Sequence, residues 1–369
     1  MKFTVESAEL NEALAVVSKA LSPNAENQIL KGVYISAFEN SLFLKCSDSS
    51  VQIETIIPAM VEEEGSAVLP GRLTVDLVRR MRGNKVSFES AENSTVKVEM
   101  GKSRSQLQYF DAAAYPQMED VRGDVSFKIK QCVFRSMIKQ TAFSCSLEEG
   151  KAVLKGVLME FTEDGYLNLV ALDGFRLAKR SEKVSISGKA RNAIVPARTM
   201  TDISNIIGDT EDEIEITLSA THITVNMGVT KIKARLIKGE YINYRNILSR
   251  KSVCRVIVDR AEFLRSLEIV WLIAKDLNNN VIRLDFDEGL MKISARSEAG
   301  SIDETVEINV TGTPTEIAFN AQYLMDIAKS VEDDTIALNF NTGVTPCIAE
   351  PVQGEAYYYL VLPIRLMRS

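Results

Sequence analysis

Catalysis needs converging side chains, and this sequence offers few. Its single histidine, His222, sits in the strand-like stretch "ATHITVNM". A Cys/His or Ser/His nucleophile pair would have to be assembled around that one residue. The five cysteines, Cys46, Cys132, Cys145, Cys254 and Cys347, are scattered and never spaced as CxxC. That pattern fits reduced thiols in a cytoplasmic protein better than a disulfide frame or a zinc site. No glycine-rich phosphate loop follows a strand pattern. The acidic run "GDTEDEIEI" (208–216) lacks the alternating oxygen ligands and central glycine of a calcium loop. Its Glu213/Glu215 alternation reads as the solvent face of a strand. The expectation is therefore no catalytic residue, no metal and no cofactor.

The charge that could do work is basic and local. Overall the chain is acidic, with 43 Lys and Arg against 50 Asp and Glu, formally −7. On its face that argues against a nucleic-acid partner. Yet "PGRLTVDLVRRMR" (70–82) carries Arg72, Arg79, Arg80 and Arg82 against Asp76 alone. "FKIKQCVFRSMIKQ" (127–140) carries Lys128, Lys130, Arg135 and Lys139 with no acid. On a helix over the first segment, Leu73, Leu77 and Met81 form the expected buried stripe, and Arg72, Asp76 and Arg79 another face. Acidic residues gather elsewhere, in "VEEEG", "GDTEDEIEI" and "SVEDD". A protein with negative surroundings and positive helical faces can hold DNA through phosphates without reading bases. A merely solvated helix surface is the alternative.

The elements that must position these residues come from a threefold repeat. "FTVESAEL" (3–10) returns as "FKIKQCVF" (127–134) and "VIVDRAEF" (256–263), and "ILKGVYI" (29–35) returns as "VLKGVLM" (153–159). "AVLPGRLTVDLVRRM" (67–81), "AIVPARTMTDISNII" (193–207) and "IAFNAQYLMDIAKSV" (317–331) align in the same order. Each unit reads strand, helix, strands, helix, strands. Leu10, Leu14, Val17 and Leu21 form an amphipathic stripe after Ser7, a plausible N-cap, and Phe263, Leu267, Val270 and Ala274 repeat the stripe. The expected fold class is α+β, each third having two helices packed on antiparallel sheet, with boundaries in "EDVRGDV" and "ILSRKSV" (units 1–123, 124–250 and 251–369). The N-terminus "MKFTVESAEL" has no apolar signal-like core. The C-terminal "YYYLVLPIRLMRS" is too short and interrupted to span a membrane, which takes ~20 apolar residues. It is either a last core strand or part of a surface that holds another molecule.

Taken together, the repeat, "ALDGFRLAKR" (171–180), "RLIKGEYINY" (235–244) and the closing "YLVLPIRL" (359–366) resemble the bacterial DNA polymerase III beta subunit, the sliding-clamp family, over the whole chain. The resemblance implies a DNA-clamp fold: a ring of six units from a head-to-tail homodimer, with sheets outside and helices around sequence-independent duplex DNA. It implies a processivity factor, cytoplasmic and not itself an enzyme, that tethers the polymerase III alpha subunit. The same protein would dock the clamp loader and the repair and translesion polymerases. The residues implied for DNA are Arg72, Arg79, Arg80 and Arg198, from the matching "PGR" and "PAR" elements. Leu77 and Ile273 match the dimer contact, with ordinary core the alternative for Ile273. A groove for a short apolar peptide would be walled by Leu154, Leu172, Gly174, Phe175, Arg176, Leu177, Ile242, Ile247, Val361, Leu362, Pro363, Ile364 and Arg365. Family members often have Thr at Leu172, His at Phe175 and Pro at Ile242, so this groove is the more apolar. Asn24 and the 148–153 loop lack the arginine and tyrosines with which some relatives grip DNA.

Two other readings stand beside it. A metal-dependent hydrolase would use the acidic clusters, and a repeat scaffold would bind proteins but never DNA.

Overall fold

The computed structural model describes residues 1–22, 26–118, 123–148, 150–248, 252–287, 289–313 and 316–365. Asn24, residue 149 of the 148–153 loop, Leu366 of the closing motif and the central residues of both expected unit boundaries lie outside the described residues.

Among the described residues, six α-helices recur in strand–helix steps: α1 (Ser7–Val17), α2 (Gly71–Arg80), α3 (Gln131–Lys139), α4 (Ala197–Ile206), α5 (Arg260–Ala274) and α6 (Ala321–Ser330). Each begins directly at the end of a strand, two per third of the chain. Thus the repeated order read from the sequence is the order of the elements. Side chains cap α5 and α6: Asp259 accepts from the Glu262 N–H at 2.8 Å and Asn320 from the Gln322 N–H at 2.9 Å. At α1 the cap differs from expectation. Glu6 occupies the N-cap position without a side-chain bond, and Ser7, the first helical residue, donates its hydroxyl to the Gly83 carbonyl at 2.7 Å.

The chain forms two compact units. One comprises residues 1–132, 186–190 and 205–236; it holds an antiparallel sheet of five strands and another of nine. The other comprises residues 133–185, 191–204 and 237–369 and is built on a single sheet of twelve strands.

In that twelve-stranded sheet, Tyr166–Leu172, Arg176–Lys183, Tyr357–Val361 and Cys347–Glu350 run side by side. Leu177 sits opposite Leu360 and Arg176 opposite Val361. Neighbouring residues point to opposite faces of a strand, so this sheet has two apolar sides. Ala178, Tyr359 and Val361 join the core beneath α5 and α6, where Phe263, Leu267, Val270 and Ala274 are buried as their spacing predicts. Leu177 and Leu360 belong to a second cluster with Leu154, Leu158, Val170, Leu172, Ile194 and Tyr244. The chain's C-terminal strand is thus a core strand packed on both faces.

Candidate functional site

Where the C-terminal strand leaves the sheet, residues 362–364 stay bonded to the rest of the protein. The Leu362 N–H donates to the Phe175 carbonyl at 2.9 Å, and the Ile364 N–H to the Ala318 carbonyl at 2.8 Å. The first bond ties Leu362 to the turn at 173–175, and the second ties Ile364 to the strand Ile317–Asn320. That turn is built by Asp173, whose Oδ1 accepts from the N–H groups of Phe175 at 2.8 Å and Arg176 at 3.0 Å. Gly174 supplies the left-handed step, with φ of 100°. A Cβ there would meet only the Lys151 ammonium, at 3.5 Å, so backbone conformation and not space selects glycine.

A second strip faces the same cluster. Residues 237–248 cross the sheet with Tyr241 and Tyr244 turned inward. The Tyr241 hydroxyl reaches the Val170 carbonyl at 3.4 Å, and the Tyr244 hydroxyl bonds the buried Glu160 carboxylate. Glu160 is further met by Asn168 Nδ2 at 3.2 Å and Arg245 at 3.1 Å. Burial pushes both phenols up, and the neighbouring Glu160 adds to the rise at Tyr244. Inward tyrosines leave Ile242 and Ile247 facing out. Nothing in the sequence reading marks either tyrosine as an anchor, although "YINY" spaces them three apart with Ile242 between.

The thirteen groove residues therefore divide. Leu154, Leu172 and Leu177 are buried floor, whereas Val361 is buried on the other side of the sheet, in the core beneath α5 and α6. Phe175, Ile242, Ile247 and Leu362 are 52%, 45%, 41% and 38% exposed, an unusual amount of large apolar surface for one small region. Pro363 and Ile364 are half-buried and Arg365 is exposed.

Arg176, named as a wall residue, is bonded within the protein. Its Nε meets Asp173 Oδ2 at 3.0 Å, one terminal nitrogen meets Asp326 Oδ2 at 2.5 Å, and the other donates to the Phe143 carbonyl at 2.7 Å. The guanidinium also lies over the Tyr323 ring at 4.5 Å. Five fixed donors in a fork make arginine suited to such a post. Here three of them are spent inside the protein, tying the turn to α6.

The basic helices correct the sequence reading in two places. On α2 the buried residues are Gly71, Thr74 and Val78; Leu73 is 53% exposed and Leu77 is half-buried. The inward stripe is thus one position away from the leucines. Arg72, Arg79 and Arg80 remain exposed, and Arg79 pairs with Asp76 at 2.5 Å. In 127–140 the charge is not helical throughout. Lys128 and Lys130 lie on the strand Val125–Lys130, opposite Glu215 and Glu213, and Lys130 also pairs with Glu211. Its ammonium is held above its ordinary range by Glu211, and the Glu211 carboxyl below its own. The acidic strand Glu213–Leu218 alternates as expected, so it partners those lysines across the ladder. On α4, Arg198 is exposed, 3.8 Å from Asp202. Ile273 is half-buried against the core of α5 while its neighbour Leu272 is 54% exposed.

No group of three or more His, Cys, Asp or Glu residues among those described could hold a metal ion. His222 opens the strand His222–Met227, its Nδ1 2.8 Å from the Thr221 hydroxyl. No helix of the described residues is long and apolar enough to cross a membrane.

Three family models cover nearly the whole chain in order: the DNA polymerase III beta subunit N-terminal domain over residues 1–119, its central domain over 128–243 and its C-terminal domain over 245–365. The chain belongs to the DNA polymerase III beta subunit family. The beta sliding clamp of Staphylococcus epidermidis is 30% identical over 375 residues, covering 99% of each chain, and that of Staphylococcus aureus is 30% identical over 379 residues with the same coverage. The crystal structure of the Bacillus subtilis DNA polymerase sliding clamp matches with a TM-score of 0.93 at 27% identity, covering 100% of both chains. The fold is the α+β clamp fold, and the family is a non-catalytic accessory subunit of the polymerase. That disposes of the hydrolase reading.

Proposed function

We propose that two copies of this chain close head to tail into a ring around duplex DNA, in the cytoplasm, and tether the replicative polymerase to its template. In this reading the chain comprises three clamp units, 1–123, 124–250 and 251–369. Arg72, Arg79, Arg80 and Arg198 face phosphates without reading sequence, as exposed helical arginines can. Leu77 and Ile273, beside the exposed Leu73 and Leu272, supply the apolar contact between protomers. Retention by a closed ring needs no tight grip, so contacts with DNA stay weak enough to slide.

The observation that carries the reading is the exposure of Phe175, Ile242, Ile247 and Leu362 as an apolar lip, with Leu362 bonded to the Phe175 carbonyl. A short peptide with two large apolar side chains fits such a lip, each side chain contributing ~25 cal/mol per Å² buried. The polymerase alpha subunit, the clamp loader and the repair and translesion polymerases would take turns there.

The test is a fluorescence-anisotropy titration with a labelled Gln-Leu-Ser-Leu-Phe peptide, run beside the Leu362→Asp/Pro363→Ala double variant. Saturable binding by the wild type, lost in the folded variant, is expected. A folded wild type that ignores the peptide would reduce the lip to the edge of a core strand.

A further inference from the structure

The floor of the lip does not end at the C-terminal strand. Pairing sets Leu172 opposite Leu177, Leu177 opposite Leu360, Leu360 opposite Ile348, Ile348 opposite Asn339, and Asn339 opposite Arg255. Cross-strand partners share a face of the sheet, so a single row carries the floor onward to Arg255. Past Leu360 the row lines a second cavity, of about 340 Å³. Leu248, next to the lip residue Ile247, and Tyr358, two residues before Leu360, wall this cavity and also pack against the floor cluster. Strands lie ~4.8 Å apart, so Asn339 is ~10 Å along the row from Leu360, the reach of about three extended residues.

Four charged residues surround the cavity, and three of them are engaged. Arg255 donates to Glu350 at 2.5 Å, to Asn339 Oδ1 at 3.4 Å, and to the carbonyls of Pro351 at 3.4 Å and Val352 at 3.2 Å. Lys179, opposite Tyr358 in the ladder, has a partner as well. Glu355, exposed at the rim, has neither a hydrogen bond nor an ion pair among the described residues. The walls inside the rim are apolar or aromatic, from Leu248, Ile348 and Tyr358. Such a space suits a long side chain that lays its stem along apolar surface and keeps a cationic head in water, as lysine and arginine do. A tyrosine ring favours the cation further.

We propose that this cavity is a second anchor for the docking peptide, taking a lysine or arginine side chain about three residues from the apolar pair. The inference rests on the lip as the seat of that pair. The stem lies against Leu248, Ile348 and Tyr358, and the head meets the Glu355 carboxylate. An acidic side chain is repelled there, and a short one does not reach. The choice among partners then depends on the residues flanking the apolar pair as well as on the pair itself.

The experiment is fluorescence anisotropy on the full chain with three labelled peptides. One is Gln-Leu-Ser-Leu-Phe alone; the others carry Gly-Gly-Arg after its C-terminus or Arg-Gly-Gly before its N-terminus. Glu355→Gln is titrated beside the wild type; it changes an exposed side chain, a kind of substitution that leaves stability nearly unmoved. One of the two extended peptides should bind the wild type about fivefold more tightly than the core peptide, a gain of ~1 kcal/mol. Glu355→Gln should abolish that gain while binding the core peptide as the wild type does. An acidic chain also attracts arginine diffusely, so equal gains at both ends, or a gain that survives Glu355→Gln, would overturn the second anchor. No gain at either end would overturn it too. A core peptide that binds neither protein would bring down the lip itself, and the second anchor with it.

Discussion

The apolar lip at the end of the C-terminal strand and the arginine face of α2 are both exposed and both proposed to meet another macromolecule, but they are built in opposite ways. Under the lip lies a complete supporting shell: two backbone bonds from the tail, an Asp173 turn, a three-way Arg176 post and two tyrosine anchors. Under the arginines lies an ordinary helix, where Arg79, with a side chain 65% exposed, reaches across one turn to Asp76. A surface that must select a peptide has to hold its shape before binding. One that must let DNA pass needs charge without fixed geometry, and long exposed arginines supply it.

Arg176→Ala breaks this contrast at its strongest point. Asp173 and Asp326 are largely buried and would lose their partner, a change that costs about 3 kcal/mol or more. Urea unfolding should show that loss, and the peptide should bind at least tenfold more weakly because the turn is no longer tied to α6. An unchanged midpoint would mean that the tail bonds alone support the lip. Tyr244→Phe tests the second anchor. It removes the hydroxyl from the buried Glu160, leaving Asn168 and Arg245, and should cost about 1–2 kcal/mol. Peptide affinity should fall less than with Arg176→Ala, since Ile242 and Ile247 are displaced but Leu362 is not.

The arginine face should respond to salt instead. Reversing Arg72, Arg79 and Arg80 to Glu should leave the unfolding midpoint within about 0.5 kcal/mol, as exposed surface changes do. Duplex binding should weaken, and the slope of log affinity against log salt should fall by about 0.9 for each phosphate that is no longer neutralised. Peptide binding should not move. A parallel loss of peptide affinity would show that the two regions are coupled.

What the sequence makes legible follows the same division. The strand–helix repeat can be read because apolar periodicity recurs three times, and α5's Phe263, Leu267, Val270 and Ala274 are buried as spaced. The groove residues can be named one by one only through the family resemblance. Their split into floor and lip cannot, because the placement of Phe175 and Leu362 depends on a long-range bond between the 173–175 turn and the tail. The bonding of Arg176 is illegible for the same reason: Asp326 lies 150 residues away in sequence. Lys128 and Lys130 look like helix charge because strand Val125–Lys130 runs straight into α3, and their acidic partners arrive from Glu213–Leu218 across the ladder. On α2 the difference is one of phase, since a stripe of Gly71, Thr74 and Val78 carries less apolar signal than Leu73 and Leu77.

The smallest expected effect is the most discriminating about how loose the arginine face is. Asp76 is the lone acid on α2, three residues before Arg79 and paired with it at 2.5 Å. Exposed pairs of this kind contribute only a few tenths of a kcal/mol on a helix. Asp76→Asn should therefore barely shift stability while freeing Arg79 and removing one negative charge from the face. Duplex affinity at low salt should rise about twofold, and the gain should vanish near 0.5 M salt, where the Debye length falls to about 4 Å. If affinity instead fell, Asp76 would be holding Arg79 in a required pose, and the face would be a built site like the lip and not a diffuse field of charge.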